Sequence, residues 1–265
     1  MRRGAIGLTI GGLQLRELEW DTRFFGQKMG RIMIDPAPEP ADFSENAWRR
    51  IFEVASRQKY EFLLCEAEAT QAQIIQTLST MGGSLADVLL TLSYNLEKDL
   101  MQQRLDSPAV PASEADLPGI IAIAGDSFRQ SRFFRDRRFD PGKAGQLYPE
   151  WVRNAFQTTE DFYVIKQQEA VAAFISLQKQ EELLSIRLLA VEPDCRGMGL
   201  GEKLVDWAID YAAANRLRRI TVGTQVSNYP ALRLYEKMGF RVERALYRFH
   251  FWLASPSQLG MGGLG

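Results

Sequence analysis

A chain of 265 residues with only two cysteines and one histidine has few of the ligands zinc takes and only two thiols. Cys65 and Cys195 stand far apart without a CxxC pair, so neither a disulfide framework nor a zinc site of ordinary ligand spacing is on offer, and no metal is expected. An excess of either charge is missing as well. With 32 basic and 33 acidic side chains the net charge is -1, which gives no field for wrapping a polyanion, and nucleic acid is not an expected partner. No run approaches the roughly 20 apolar residues of a membrane-crossing helix, so no membrane partner is expected. Arg2 and Arg3 before the mildly apolar Gly4 to Leu15 imitate the start of an export signal, but Arg16, Glu17 and Glu19 follow without a small-residue cleavage site. The expected location is the cytoplasm.

What is present fits a globular protein: 46% of residues are hydrophobic and 25% are charged. Gly30 to Ile34 reads as a strand, and Asn46 to Arg57 as an amphipathic helix carrying Trp48, Ile51, Phe52 and Ala55. Glu61 to Glu66 reads as a buried strand, Ala72 to Met81 as a helix stopped by Gly82-Gly83, and Val88 to Leu96 as a strand. Pro108 and Pro111 in a polar stretch suit a linker near Ser107. The expected organisation is an N-terminal α/β domain over 1–106, a second domain over 107–255 and a loose glycine-rich tail over 256–265.

The second segment opens with Ser113 three residues before Asp116, a capping signal for the helix with Ile120, Ile121, Ala124 and Phe128. After an arginine-rich stretch, Trp151 to Phe156 reads as a helix, and Phe162 to Ile165 with Val171 to Leu177 as a hairpin. Leu184 to Val191 is a strand, Glu202 to Asn215 a helix, Ile220 to Gly223 a strand, Pro230 to Met238 a helix and Ala245 to Leu253 a final strand.

The strand ending at Val191 runs into Glu192-Pro193-Asp194-Cys195-Arg196-Gly197-Met198-Gly199-Leu200-Gly201 and then a helix. A helix start offers unpaired N–H groups and a positive dipole end to an anion. Glycines at 197, 199 and 201 remove Cβ atoms that would keep a pyrophosphate away. The spacing is neither a dinucleotide-binding fingerprint nor a nucleotide-triphosphate loop. Glycines that merely turn a strand into a helix are the alternative.

This turn, with Asn228-x-x-Ala231-x-x-Leu234-Tyr235-Glu236-Lys237-x-Gly239-Phe240 downstream, resembles the GNAT acetyltransferase superfamily. The resemblance implies an α/β fold with a mixed, splayed central sheet flanked by helices, and acetyl-CoA as co-substrate. The backbone of Leu189, Ala190 and Val191 would pair with the pantetheine arm, and the turn from Arg196 through Gly197, Met198, Gly199 and Leu200 to Gly201 would take the pyrophosphate. It further implies a cofactor contact at Asn228 and a general-acid role for Tyr235 toward the departing thiolate. Core packing is the alternative for Tyr235, because Ala231, Leu234, Tyr235 and Met238 form one helical stripe.

Leu18-Glu19-Trp20-Asp21-x-x-Phe24-Phe25-Gly26, Gln130-Ser131-Arg132-Phe133 and Tyr148-x-x-Trp151-Val152-x-Asn154-Ala155 resemble the dTDP-fucosamine acetyltransferases of surface-polysaccharide synthesis. That resemblance implies a nucleotide-linked amino deoxysugar as acceptor. Arg132 and Arg135 are candidates for its diphosphate, and Glu68 or Glu66 at a strand end for the amine's proton. A protein or small-amine acceptor, or a non-catalytic acyl-CoA sensor, are the other readings. Cys195 has no histidine near it in sequence and is not expected to act as a nucleophile. His250, among Phe249, Phe251 and Trp252, is expected to be half-buried packing, and an exposed strand from Tyr247 to Trp252 would allow a homodimer.

Overall fold

A computed structural model describes residues 8–34, 45–96, 108–158 and 160–253. Ser107, about which the linker was expected, and the tail over 256–265 lie outside the described residues, whereas Pro108 is described and Pro111 belongs to a short strand. The chain divides into two compact units, Met1–Val88 with Leu246–Gly265, and Leu89–Ala245.

The first unit contains β1 (Leu8–Ile10), β2 (Leu13–Glu17), α1 (Glu19–Phe25), β3 (Met29–Ile34), α2 (Glu45–Arg57), β4 (Phe62–Glu68) and α3 (Ala72–Thr80). The start of β5 (Ser84–Asn95) and the end of β11 (Arg241–Trp252) also belong to it. Strands β1, β2 and β3 are antiparallel neighbours, β3 runs parallel to β4, and β4 pairs antiparallel with β11 from Leu246↔Glu68 to Trp252↔Phe62. Strand β4 is central in this part of the sheet and reads Phe-Leu-Leu-Cys with all four side chains buried, the continuous apolar run of a strand covered on both faces. Helix α2 covers this core with Trp48, Ile51 and Ala55. A side chain the size of Ile51 contributes about 1.5–3 kcal/mol on burial.

From Leu8 onward the apolar run that imitated an export signal is the β1–β2 hairpin. Its turn is Gly11-Gly12, with φ of 49° and 73°, a backbone that closes a two-residue hairpin. The last strand differs from expectation too. Phe249, His250 and Phe251 are 2%, 0% and 6% exposed, and His250 packs edge-on against Phe62 at 4.8 Å between ring centroids. His250 is therefore fully buried rather than half-buried, and the burial of Phe249 to Phe251 takes away the exposed strand that would have allowed a homodimer.

The second unit contains the rest of β5 and β11, β6 (Val110–Pro111), α4 (Leu117–Asp126), α5 (Arg132–Arg135), α6 (Pro141–Phe156), β7 (Asp161–Gln167), β8 (Ala170–Gln180), β9 (Leu183–Val191), α7 (Leu200–Ala214), β10 (Arg219–Gln225) and α8 (Tyr229–Lys237). Its strands lie in the order β5-β10-β9-β8-β7-β6. Only β9 and β10 are parallel, so the sheet is mixed. On one face Ile120, Ile123 and Ala124 of α4 and Val152 and Ala155 of α6 pack on Phe162, Val164, Phe174, Leu188 and Ala190. Asp116 opens α4: its carboxylate accepts from the Ser113 N–H at 2.9 Å and hydroxyl at 2.8 Å and pairs with Lys166 at 2.7 Å. Burial works against its charge, but the bonds from Lys166 and Ser113 outweigh that and hold the carboxyl below its usual range.

Candidate active site

Strands β9 and β10 pair from Leu183↔Arg219 to Ile186↔Val222 and then part. Beyond that point β9 stays on β8, with Leu188↔Ser176 through Val191↔Ala173, while β10 stays on β5, with Gly223↔Thr91 through Gln225↔Leu89. Among the described residues no strand occupies the gap. Each strand is held on its outer edge and presents an unpaired inner edge, the geometry an extended guest chain can complete. The parting coincides with a bulge: Ser176 faces Leu188 and Leu177 faces Ile186, so Arg187 is an extra residue in β9. A bulge bends its strand and increases the local twist, which carries Leu188 to Val191 away from β10.

The glycine turn follows directly. Glu192 N–H bonds to Ala172 O at 2.8 Å, Pro193–Cys195 forms one helical turn, and Arg196 Nε donates to Val191 O at 3.3 Å. Gly197 and Gly199 adopt φ of 79° and 75°, where an L side chain is strained. Gly199 is the N-cap of α7 and its carbonyl accepts the first helical bond, from Lys203 N–H at 3.1 Å. The earlier N–H groups of α7 thus remain available at the positive end of the helix. Gly201 has an ordinary helical backbone instead, and a Cβ there would press only on the flexible Cδ2 of Leu234, at 3.3 Å, with Leu189 and Val191 at an ordinary 3.9 Å. Leu200 is 5% exposed and packs inward, leaving only its backbone to the turn, whereas Met198 is 56% exposed. Gln167, which the sequence did not single out, braces the turn by accepting from Cys195 Sγ at 3.5 Å and donating to Met198 Sδ at 3.7 Å.

Helix α8 begins at Asn228, whose Oδ1 accepts from Ala231 N–H at 3.4 Å while its Nδ2 donates to Thr224 Oγ1 at 3.0 Å. Both ends of that side chain are engaged within the protein, so Asn228 ties the start of α8 to the end of β10. Tyr235 is 4% exposed and lies 5.5 Å from Phe240 between ring centroids. Burial pushes its phenol well above the ordinary value. The hydroxyl therefore keeps its proton throughout the neutral range.

The remaining candidates scatter. Arg135 is exposed and donates to Ser227 Oγ at 3.1 Å, which brings it beside the start of α8 across the sequence. Arg132 is 9% exposed with its guanidinium 4.0 Å from the Phe133 ring, so it is part of the packing of α5. Glu66 is paired with Arg31 and, at 2.8 Å, with Arg248, and serves as a buried counter-charge in the first unit. Glu68, half-buried, ends β4 in that same unit. Among the described residues no group of three or more His, Cys, Asp or Glu side chains could hold a metal ion, and no helix is long and apolar enough to cross a membrane.

Residues 127–240 match the acetyltransferase (GNAT) family. The spore coat polysaccharide biosynthesis protein SpsD of Bacillus subtilis (strain 168) is 31% identical over 144 residues, which is 54% of this chain and 50% of that protein, so the match spans half of its length. The dTDP-fucosamine acetyltransferase of Escherichia coli O6:H1 is 28% identical over 240 residues, covering 88% of this chain and 96% of that one. In fold the chain is similar to a GCN5-related N-acetyltransferase from Kribbella flavida, with a TM-score of 0.63 at 14% identity over 97% of this chain and 93% of that one.

Proposed function

We propose, from the premise that residues 127–240 are a domain of the GNAT acetyltransferase family and the chain an N-acetyltransferase, that it moves an acetyl group from acetyl-CoA to the amino group of a nucleotide-linked amino deoxysugar. The observation that carries the acyl-donor half is the parting of β9 from β10 after Ile186 and Val222, opening beside the glycine turn. The acceptor half rests on the similarity to dTDP-fucosamine acetyltransferase, which extends over 88% of this chain. A reaction using these two substrates runs in the cytoplasm, and residues 107–255 carry it.

Acetyl-CoA supplies an acyl group already activated as a thioester. The free inner edge at Leu189, Ala190 and Val191 pairs with the pantetheine amides. The backbone from Arg196 to Gly201, with the dipole of α7, receives the pyrophosphate. The neutral amine attacks the thioester carbonyl, and the charge that develops on its oxygen is met by backbone N–H groups near Val191, a fixed donor arrangement of the kind worth several kcal/mol in acyl transfer. The C–S bond then breaks, Tyr235 donating a hydrogen bond to the departing thiolate, and the proton lost from the acylated nitrogen passes to that thiolate or to water, giving the amide and CoA. Arg135, beside Ser227, offers a cation to the acceptor's diphosphate.

The test is a thiol-release assay with acetyl-CoA against dTDP- and UDP-linked amino sugars, with polyamines and short peptides as controls. Turnover confined to a nucleotide amino sugar is the expected result. Turnover only with the controls removes the sugar acceptor and leaves the acetyltransferase, and CoA binding without any turnover turns the reading to an acyl-CoA sensor.

A further inference from the structure

We infer that Glu160 and Ser176 are a positioning pair that sets the opening between β9 and β10, and with it the affinity for the acyl donor. The inference rests on the acyltransferase reading above but concerns residues outside the glycine turn, α8 and the arginine segment.

Inserting Arg187 into β9 takes the neighbouring N–H of Leu188 out of the regular ladder. That N–H donates instead to a side chain, Ser176 Oγ of β8, at 3.1 Å. A hydroxyl can receive an N–H only when its own hydrogen is turned elsewhere. Ser176 sends it to Glu160 Oε2 at 2.7 Å. Three groups thus form one directed chain, N–H to hydroxyl to carboxylate, in which Ser176 is 0% exposed and the Glu160 side chain 4% exposed.

A carboxylate so placed needs further donors, since an uncompensated buried charge is costly. They come from two other elements. Trp151 Nε1 of α6 donates to Glu160 Oε1 at 3.3 Å, and Arg187 Nε approaches the same oxygen at 3.6 Å while its guanidinium lies 5.5 Å from the centre of the Trp151 ring. The inserted residue itself is therefore clamped by the carboxylate that orients the hydroxyl receiving its neighbour's N–H. Helix α6, β8 and β9 converge on Glu160 at the first residues after the two parallel strands separate. Without this acceptor, β9 has an incentive to return to a regular ladder on β8, straightening toward β10 and changing which backbone groups Leu189 to Val191 present.

The test measures acetyl-CoA binding calorimetrically, with thermal unfolding in parallel, on the full-length chain and on S176A, S176T and E160Q. S176A is expected to weaken acetyl-CoA about tenfold, the loss ascribed to one buried hydrogen bond. S176T keeps the oxygen on a residue suited to a strand and holds the affinity within about twofold. E160Q, which can still accept but no longer balances Arg187, falls between them. A lower melting temperature with unchanged acetyl-CoA affinity in both S176A and E160Q overturns the inference, because the network then serves the fold alone. If S176A does not fold, E160Q decides by the same criterion. Absence of acetyl-CoA binding by the unaltered chain overturns the acyltransferase reading itself, whereas binding that ignores these substitutions overturns only the positioning role.

Discussion

Replacing Tyr235 by phenylalanine removes one hydroxyl from a ring that is 4% exposed and packed against Phe240. The ring and its packing survive, so folding and CoA affinity are expected to stay near their original values. The catalytic loss follows from the acidity. A free phenol ionises near about 10 and a free thiol near about 8.5, and burial raises Tyr235 further. Complete transfer of its proton to a thiolate is thus uphill by more than about 2 kcal/mol, at about 1.4 kcal/mol per unit. In the proposed mechanism the hydroxyl supplies a hydrogen bond to the sulfur as charge accumulates there. A bond to a charged partner is worth about 1.5–3 kcal/mol, which sets the expected fall in kcat at roughly 10- to 150-fold.

The sign of the pH dependence follows from the same shift. The protonated phenol is the competent form and its folded-state pKa lies above the free value, so competence persists through the alkaline range and fades only above about pH 10. Thiol release followed from pH 6 to pH 10 should show no falling limb that depends on Tyr235. An unchanged kcat in Tyr235→Phe, or a falling limb near pH 8 to 9 that the substitution abolishes, refutes this account.

Gly199→Ala places a side chain at φ 75° in open space, so its cost of about 1–2 kcal/mol is purely conformational, and Gly199→Asn recovers part of it; thermal unfolding and CoA binding check both. Gly201→Ala meets only the mobile end of Leu234 at 3.3 Å and gains helix propensity, so its stability should change by less than about 1 kcal/mol. Arg135→Ala should raise KM for a diphosphate-bearing acceptor about 3- to 10-fold without altering acetyl-CoA affinity, since its guanidinium is exposed and bonds to Ser227 on the surface; steady-state kinetics with each substrate varied in turn separates the two. Asp116→Asn should destabilise the chain by about 1–3 kcal/mol at neutral pH, because it weakens the bonds to Lys166 and Ser113. The Asp116 carboxyl is depressed in the folded state, so that contribution is present above the unfolded value near about 3.9 and disappears as pH falls through the folded one. Denaturation curves of the two proteins should converge in strong acid.

Legibility in the sequence followed periodicity. Helix α2, with Trp48, Ile51 and Ala55 on its buried stripe, and α7, with Leu204, Val205 and Ala208, were readable because an apolar face repeats at helical spacing. Helix α6 begins at Pro141, far ahead of the expected Trp151, because Gly142, Gly145 and Pro149 dilute the pattern, while its true start is an Asp140 cap accepting from Lys143 N–H at 2.7 Å. The glycine turn was visible, but the differing backbones of its glycines were not, since a left-handed φ at 197 and 199 and a helical one at 201 look alike in one dimension. Asn228 before Tyr229-Pro230 carried a capping signal that went unused beside the family resemblance. Glu160 and Ser176 gave no signal at all. Their roles exist only once a bulge brings β8, β9 and α6 together.

The opening is stable for a reason that lies outside it. Strand β9 is fixed by β8 and by Leu188 and Ala190 in the α4–α6 core, and β10 by its full ladder on β5. Neither strand needs the other beyond Ile186 and Val222, so the edges stand apart without collapsing. A guest that completes the ladder meets backbone groups already in place and does not first have to break a strand pair, which is the sense in which the site is preorganised. Substitutions that loosen the outer attachments, rather than those inside the gap, should therefore be the ones that weaken acetyl-CoA while sparing the acceptor. Leu188→Ala, which removes contacts from the α4–α6 side alone, is the direct case: acetyl-CoA affinity should fall together with thermal stability, and affinity that stays constant while stability drops would separate the opening from its supports.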